Sequence, residues 1–334
     1  MIGRYHPAMS APSSETPRFR LFEGPSPLEP LPRFSAALGG RAEIWVKRED
    51  LLPLAFGGNK LRNLEFLVGA ALAEGADTLI TSGRRWSNHC RLTAAAGAKA
   101  GLAVELVLSG PPASVPGPGV RLMQAFGATL HELPTADRAA RDAEVGRVAA
   151  AIDVRGGRPY VIAVGGTGAV GAWGQVLAAR ELLDQAEAIG LAVDLVLLPS
   201  ATGGTQAGLI AGTAGRSPAT RVVGVVVSRP ASELRPAIAT LVSELAARDG
   251  RVVGDASAID LDESQLGDGY GRPTTDAADA AGLLARTEGI LVDPIYTAKA
   301  LAGLIAAVRR GSLDGKRVVF WHAGGLPGIF EPMD

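Results

Sequence analysis

The chain has 334 residues, 47% of them hydrophobic and 20% charged, with a formal net charge of −1. That length and apolar content suffice for a large core, as one domain or two packed lobes, and exclude a disordered chain. A pI near 6.5 offers no basic stripe for nucleic acid, so an anionic ligand must be held by a few placed donors. The single cysteine, Cys90, excludes an internal disulfide framework and leads to the expectation of a reducing, cytoplasmic setting. No run of about 18 apolar residues occurs, so no membrane partner is expected.

Residues 1–17 are rich in Pro and Ser and lack an apolar stretch, which predicts a flexible extension and not a secretory signal. A strand is then predicted over 43–48, followed by a helix over 60–74 in which Leu61, Leu64, Val68 and Leu72 recur at helical spacing. A strand at 77–82, a helix at 88–100 and a strand at 103–109 follow. Helices are predicted at 120–126 and 136–153, then a strand at 160–164 and a helix at 171–189. The strand 194–199 leads to a helix at 204–214, and the strand 221–227 to helices at 231–248, 275–288 and 296–309. A last strand spans 317–321. Such alternation predicts an α/β fold with parallel sheets flanked by helices. Ligands in that architecture bind beyond the carboxyl ends of the strands, which directs attention to the Gly-rich loops there.

The loop SATGGTQAG (200–208) follows a strand and opens a helix. Gly203 and Gly204 let the backbone approach an oxyanion, Thr202 and Thr205 add hydroxyls, and the helix N-terminus adds partial positive charge. It is a phosphate cup without the lysine of a Walker P-loop. Lys60, one of only five lysines, follows two glycines in FGGNK at the start of a helix. Amide donors at that helix end are expected to lower its pKa towards the neutral amine that Schiff-base chemistry requires. Ser87, Asn88 and His89 begin another helix and could bind a carboxylate, although the same residues also make an ordinary helix cap. Gly166, Gly168 and Gly171 spell GxGxxG, but the next strand ends at Pro199 and Ser200 without the acidic residue that grips a ribose, which sets a dinucleotide site aside.

Taken in order, VKREDLLPLAFGGNKLR (46–62), SNHCRLTAA (87–95), FGATL (126–130), YVIAVGGTGAVGAWG (160–174), ATGGTQAGL (201–209), GDGYGRPT (267–274), DPIYTAKALAGL (293–304) and HAGGLPGIF (322–330) resemble the ACC deaminase/D-cysteine desulfhydrase family. That family lies within the tryptophan-synthase-β-like, fold type II enzymes that use pyridoxal 5′-phosphate (PLP). The resemblance implies two α/β lobes, each a mostly parallel twisted sheet flanked by helices. A small lobe, 59–167, would be inserted into a large one formed by 18–58 and 168–334. It implies Lys60 as the lysine that carries the cofactor, Thr202–Thr205 as the phosphate loop and Asn88 as the partner of the PLP 3′-oxygen. Ser87 would relay protons or contact the substrate carboxylate, beside His89, Tyr296 would stack near the ring, and Tyr270 would be a second active-site tyrosine. The implied reaction is α,β-elimination on a small β-substituted amino acid such as D-cysteine, by a homodimer. A ring-opening deaminase, a cysteate-type sulfo-lyase, a racemase, a β-replacement enzyme or a degenerate PLP-binding protein would use the same binding residues. No metal is expected.

Three departures from the family pattern bear on substrate. Thr297 stands where ACC deaminases carry a Glu facing the pyridine nitrogen, which favours elimination over ring opening. Ala323 replaces the Thr of the desulfhydrases' HTGG. Arg84, Arg85 and Trp86 replace small and amide residues before SNH. Either these arginines are solvated or paired with acids, or one binds a second anion on the substrate while Trp86 reshapes the pocket.

Overall fold

The computed structural model describes residues 16–111, 115–250 and 258–331. The extension expected over 1–17 therefore falls, apart from its last two residues, outside the described residues.

The chain opens with β1 (Leu28–Pro30), the short helix α1 (Pro32–Ala37) and β2 (Glu43–Arg48). α2 (Lys60–Ala73), β3 (Thr78–Arg84), α3 (Asn88–Ala100) and β4 (Ala103–Ser109) follow, then α4 (Pro118–Ala125), β5 (Thr129–Leu133), α5 (Arg138–Val154) and β6 (Pro159–Val161). The remainder comprises α6 (Ala169–Ala188), β7 (Leu195–Ser200), α7 (Gly204–Ala214), β8 (Arg221–Val226), α8 (Ala231–Asp249), β9 (Asp260–Asp262), α9 (Thr275–Glu288), α10 (Thr297–Arg309) and β10 (Arg317–His322). All seven predicted strands and all nine predicted helices are present, with ends moved by up to three residues. The elements without a sequence signal are α1, β1, β5 and β9. Each is short, and the three strands lie at sheet edges where half-exposed residues carry no alternation.

Two sheets result, a six-stranded one in the order β1-β2-β10-β7-β8-β9 and a four-stranded one in the order β5-β4-β3-β6. Every pairing is parallel except the edge pair β1–β2. Inner strands such as LVLLPS and RVVFWH are buried on both faces, as parallel sheets covered by helices require. Arg84, Ser200 and His322 end their strands at the carboxyl edges, where the glycine-rich loops begin.

α2 is pressed against α6 more closely than ordinary side chains permit. A Cβ on Gly174 would stand 2.0 Å from the Arg62 carbonyl oxygen, so only glycine fits there. The same region holds a buried ion cluster. Arg62 bonds both oxygens of Glu49 (2.6 and 2.8 Å) and both of Glu181 (2.8 Å each), while Lys47 donates to Glu181 at 2.5 Å. Glu49, Lys47 and Arg62 are all buried. The cluster ties β2, the N-terminal segment through Ser26, and α6 to the first turn of α2, two residues from Lys60.

Candidate active site

Lys60 is the first residue of α2 and keeps some solvent access while protein surrounds its amine. Burial brings that amine down to about 8, so desolvation and not the helix amides lowers it. The preceding Asn59 does not cap α2; its side-chain amide donates to Thr205 Oγ1 at 2.8 Å, and its carbonyl accepts from Gln175 at 2.8 Å. Asn59 N–H donates to the Ala323 carbonyl at 3.0 Å. The start of α2 is thus tied to α7, α6 and the loop after β10. Three of the other lysines are engaged elsewhere. Lys47 lies in the ion cluster, Lys99 holds the Leu21 carbonyl, and Lys299 holds the Leu266 and Gly269 carbonyls just before Tyr270.

Ser87 caps α3, its hydroxyl accepting from Cys90 N–H at 3.2 Å, and the same hydroxyl lies within hydrogen-bonding reach of the Cys90 thiol. Arg91 was not singled out from sequence. Buried one turn into α3, it donates to Asn88 Oδ1 (3.2 Å), the Gly57 carbonyl (3.4 Å) and the Ala55 carbonyl. It therefore couples the start of α3 to the loop leading into Lys60, where Ala55 and Phe56 take positive φ angles of 50° and 64°.

His89 is 3% exposed. Thr81 Oγ1 donates to the Ile162 carbonyl and so must accept from His89 Nε2 at 3.0 Å, which assigns the proton to Nε2. Its Nδ1 is buried and finds no partner among the described residues. Burial first, and then the nearby Lys60 charge, depress the ring's pKa from 6.5 to about 3, so the imidazole is a neutral acceptor beside Lys60. A folded pKa below the unfolded one means that the stabilisation is complete above pH 6.5 and is lost as pH falls towards 3. At about 1.4 kcal/mol per pH unit, His89 alone accounts for about 4–5 kcal/mol of acid sensitivity. Urea unfolding of the wild type and His89→Gln at a series of pH values between neutrality and 4 checks this. The stability difference between them should move in the variant's favour as pH falls; parallel curves would refute it.

The cup at the start of α7 has Gly203 in the left-handed region (φ 89°), a conformation costly for other residues, and it turns the chain from β7 into the helix. Thr167 donates to Thr202 Oγ1 at 2.7 Å, bringing the GGTG turn of the GxGxxG segment against the cup. Ser200 Oγ, at the end of β7, is buried with no partner among the described residues. Asn59 and Thr167 lie in loops that the sequence marks as glycine-rich and Ser200 ends the strand before one, but nothing in their spacing separates them from their neighbours.

The phenols of Tyr270 and Tyr296 hydrogen-bond one another, and their rings lie 5.9 Å apart with Trp86 6.4 Å beyond Tyr270. Burial pushes both phenols up, Tyr296 well above its ordinary value, so both are neutral proton carriers near pH 7. Thr297 begins α10 fully buried; its hydroxyl donates to Asp293 and accepts from Asp293 N–H at 3.0 Å. Asp293 also accepts from the N–H groups of Ile295, Tyr296 and Thr297 at 2.8–3.0 Å, and this orients the Tyr296 turn.

The two arginines before SNH separate. Arg85 pairs with Glu132 at 2.7 Å and donates to the Pro111 carbonyl at 3.0 Å. Arg84 is partly buried within electrostatic reach of the Tyr270 phenol, and no carboxylate among the described residues pairs with it.

Comparison with known proteins gives this arrangement its family. The profile described as "Pyridoxal-phosphate dependent enzyme" matches residues 19–324. The chain is 42% identical over 321 residues to a D-cysteine desulfhydrase of Salmonella typhi, covering 94% of this chain and 95% of that protein. It is 43% identical over 322 residues to a D-cysteine desulfhydrase of Salmonella choleraesuis (strain SC-B67), with the same coverage. Among solved structures, an ACC deaminase homologue superposes with a TM-score of 0.88 at 33% identity, covering 95% of this chain and 94% of that one. A PLP-dependent aspartate racemase, at 17% identity and a TM-score of 0.65 over 90% of each chain, shares the fold alone. With its two mostly parallel sheets and the matched span running through nearly the whole chain, the protein belongs to the pyridoxal-phosphate dependent enzymes, and PLP is its cofactor.

Proposed function

We propose that the protein is a lyase that eliminates the β-substituent of a small amino acid, D-cysteine being the first to test, and releases a 2-oxo acid and ammonia. The observation that carries this reading is the tie between the helix start that bears Lys60 and the glycine-rich cup of α7, Asn59 donating to Thr205 Oγ1 at 2.8 Å, with the buried His89 Nδ1 unpartnered among the described residues. The likeness to D-cysteine desulfhydrases over nearly the whole chain supports it.

The residues present fit PLP. The Gly203–Gly204 turn, the α7 amides, Thr202, Thr205 and the orphaned Ser200 hydroxyl supply donors for a phosphate. Lys60 is the amine for covalent attachment, and Asn88 would meet the ring's 3′-oxygen. When bound, PLP supplies an electron sink conjugated to the substrate's amino nitrogen. The protein's own part is to bind and to move protons. Ser87 and the first amides of α3 hold the α-carboxylate. Lys60 Nζ takes the α-proton, since burial brings its amine down from 10.5 to about 8, which leaves a fraction of it as free base at working pH. His89 Nδ1 offers a fixed acceptor beside it, and the Tyr270–Tyr296 pair can pass a phenolic proton to the departing group. Thr297, engaged with Asp293, offers the ring nitrogen no carboxylate, which agrees with elimination over ring opening.

We also propose two lobes, 59–167 inserted into 18–58 plus 168–334, a division supported by the four-stranded sheet drawing all its strands from β3 to β6. A homodimer, proposed on the family resemblance alone, and a reducing cytosol, for which the single, buried Cys90 speaks, complete the reading. Among the described residues no helix is long and apolar enough to cross a membrane.

The test is a panel of D- and L-cysteine, β-chloroalanine and 1-aminocyclopropane-1-carboxylate, assayed for 2-oxo acid with the PLP-loaded protein. Release from the β-substituted amino acids but not from the cyclopropane is expected. Release from the cyclopropane alone would replace elimination by ring opening, and racemisation without 2-oxo acid would remove the lyase reading.

A further inference from the structure

We infer that Arg84 binds a second anionic group, carried on the β-carbon of the substrate, so that the site selects small amino acids with an anionic β-substituent. This rests on the lyase reading above.

Arg84 closes β3 at the carboxyl edge of its sheet and starts a tight turn in which Ser87 N–H donates to the Arg84 carbonyl at 2.9 Å. The turn therefore carries a guanidinium at one end and, at the other, the Ser87 hydroxyl with the first amides of α3. Those are two separate anion donors on one rigid element. Arg85, between them, is turned away and held by Glu132 and the Pro111 carbonyl.

Among the described residues Arg84 has no such partner. Its Nη1 lies 3.3 Å from where a Cβ on Gly110 would stand, so the guanidinium rests against bare backbone. On the site side it is in electrostatic reach of the Tyr270 phenol, which bonds Tyr296 and neighbours the Trp86 ring. A partly desolvated guanidinium without a carboxylate is costly, and a ligand anion removes that cost while matching its planar fork. Removing one partner of such a desolvated charge pair typically lowers affinity about 30-fold or more.

Cysteate serves as the probe. Its α-C–H bond breaks, with the proton passing to Lys60 Nζ. The Cβ–S bond breaks, with its electron pair leaving on sulfite, and the enamine left behind takes up water to give pyruvate and ammonium. No oxidant or reductant enters.

The experiment measures pyruvate release by PLP-loaded wild type, Arg84→Gln, Arg84→Lys and Arg85→Gln. Both enantiomers of cysteate and of β-chloroalanine, whose leaving group is uncharged in the substrate, are compared. The ratio of kcat/KM for cysteate to that for β-chloroalanine should fall about 30-fold or more in Arg84→Gln, mostly through the KM for cysteate, and recover in part in Arg84→Lys. Arg85→Gln should keep the wild-type ratio. An unchanged ratio in Arg84→Gln, or wild-type turnover of β-chloroalanine with cysteate neither processed nor inhibitory, would overturn the role of Arg84. Turnover of neither compound by the wild type would instead bring down the lyase reading and this inference with it.

Discussion

Lys60→Ala is expected to abolish covalent attachment of PLP and to lower turnover about a thousandfold or more, while leaving the fold intact. Alanine is the best helix former and the first position of α2 needs no particular side chain, so the helix should still start there. The substitution removes the lysine amine proposed to carry PLP, and Lys316 lies just before β10, at the opposite end of that strand from the loop that meets Asn59. Lys47, Lys99 and Lys299 are held by a carboxylate or carbonyls elsewhere and cannot substitute for it. The proposed attachment point and the proposed α-proton acceptor would go together, which is why the expected loss is so large. Visible absorbance of the purified protein, peptide mass spectrometry after borohydride reduction, and far-UV circular dichroism read the three parts separately. A cofactor still reducible onto the chain in the variant would show that another lysine carries it.

The largest effect on stability is expected from Arg62→Ala, which should cost about 3–5 kcal/mol. Lys47 and Arg62 balance Glu49 and Glu181 in the cluster beneath the start of α2. Deleting Arg62 leaves Glu49, which is fully buried, without its two guanidinium bonds, and an uncompensated buried carboxylate is the costly product. Glu49→Gln should recover part of the loss when combined with Arg62→Ala, because the pair share one interaction. Urea midpoints of the two single variants and the double variant provide the cycle; strictly additive losses would contradict the coupling. Burial pushes the Glu181 carboxyl up, but hydrogen bonds and charge from Arg62 and Lys47 outweigh it and hold the group below its ordinary value. Its contribution is therefore present at neutral pH and above, and is lost as pH falls through the acid range. α2 begins two residues before Arg62, so PLP should also bind more weakly in the variant.

The order of elements was readable along the chain because parallel strands buried on both faces are short apolar runs, and the helices between them are long and regular. α1, β1, β5 and β9 were not, since a six-residue helix opening on Pro32 and half-exposed edge strands have no pattern that differs from a loop. The loops carrying Lys60 and Thr202–Thr205 were also readable as candidates, because glycine before a helix start suits anion binding, and Ser87–His89 as a helix start, because serine is a favoured cap. Arg91, Asp293 and Ser200 were not, because their importance lies in what they touch across the fold. Arg91 reaches the loop before Lys60, and Asp293 collects the amides at the start of α10.

The opening composition had left one question to local chemistry, namely which few donors hold an anion in a nearly neutral chain. Sequence by itself determined the α/β class, the candidate cup, Lys60 as the candidate amine and the family resemblance, all of which depend on residue type and order. Only the tertiary structure decided why the Lys60 amine falls to about 8, which is burial, a property of distant segments closing over it. Only it separated Arg84 from Arg85, identical in type and adjacent in sequence. One side chain meets Glu132 on β5, two strands away across the sheet, and the other meets no carboxylate among the described residues.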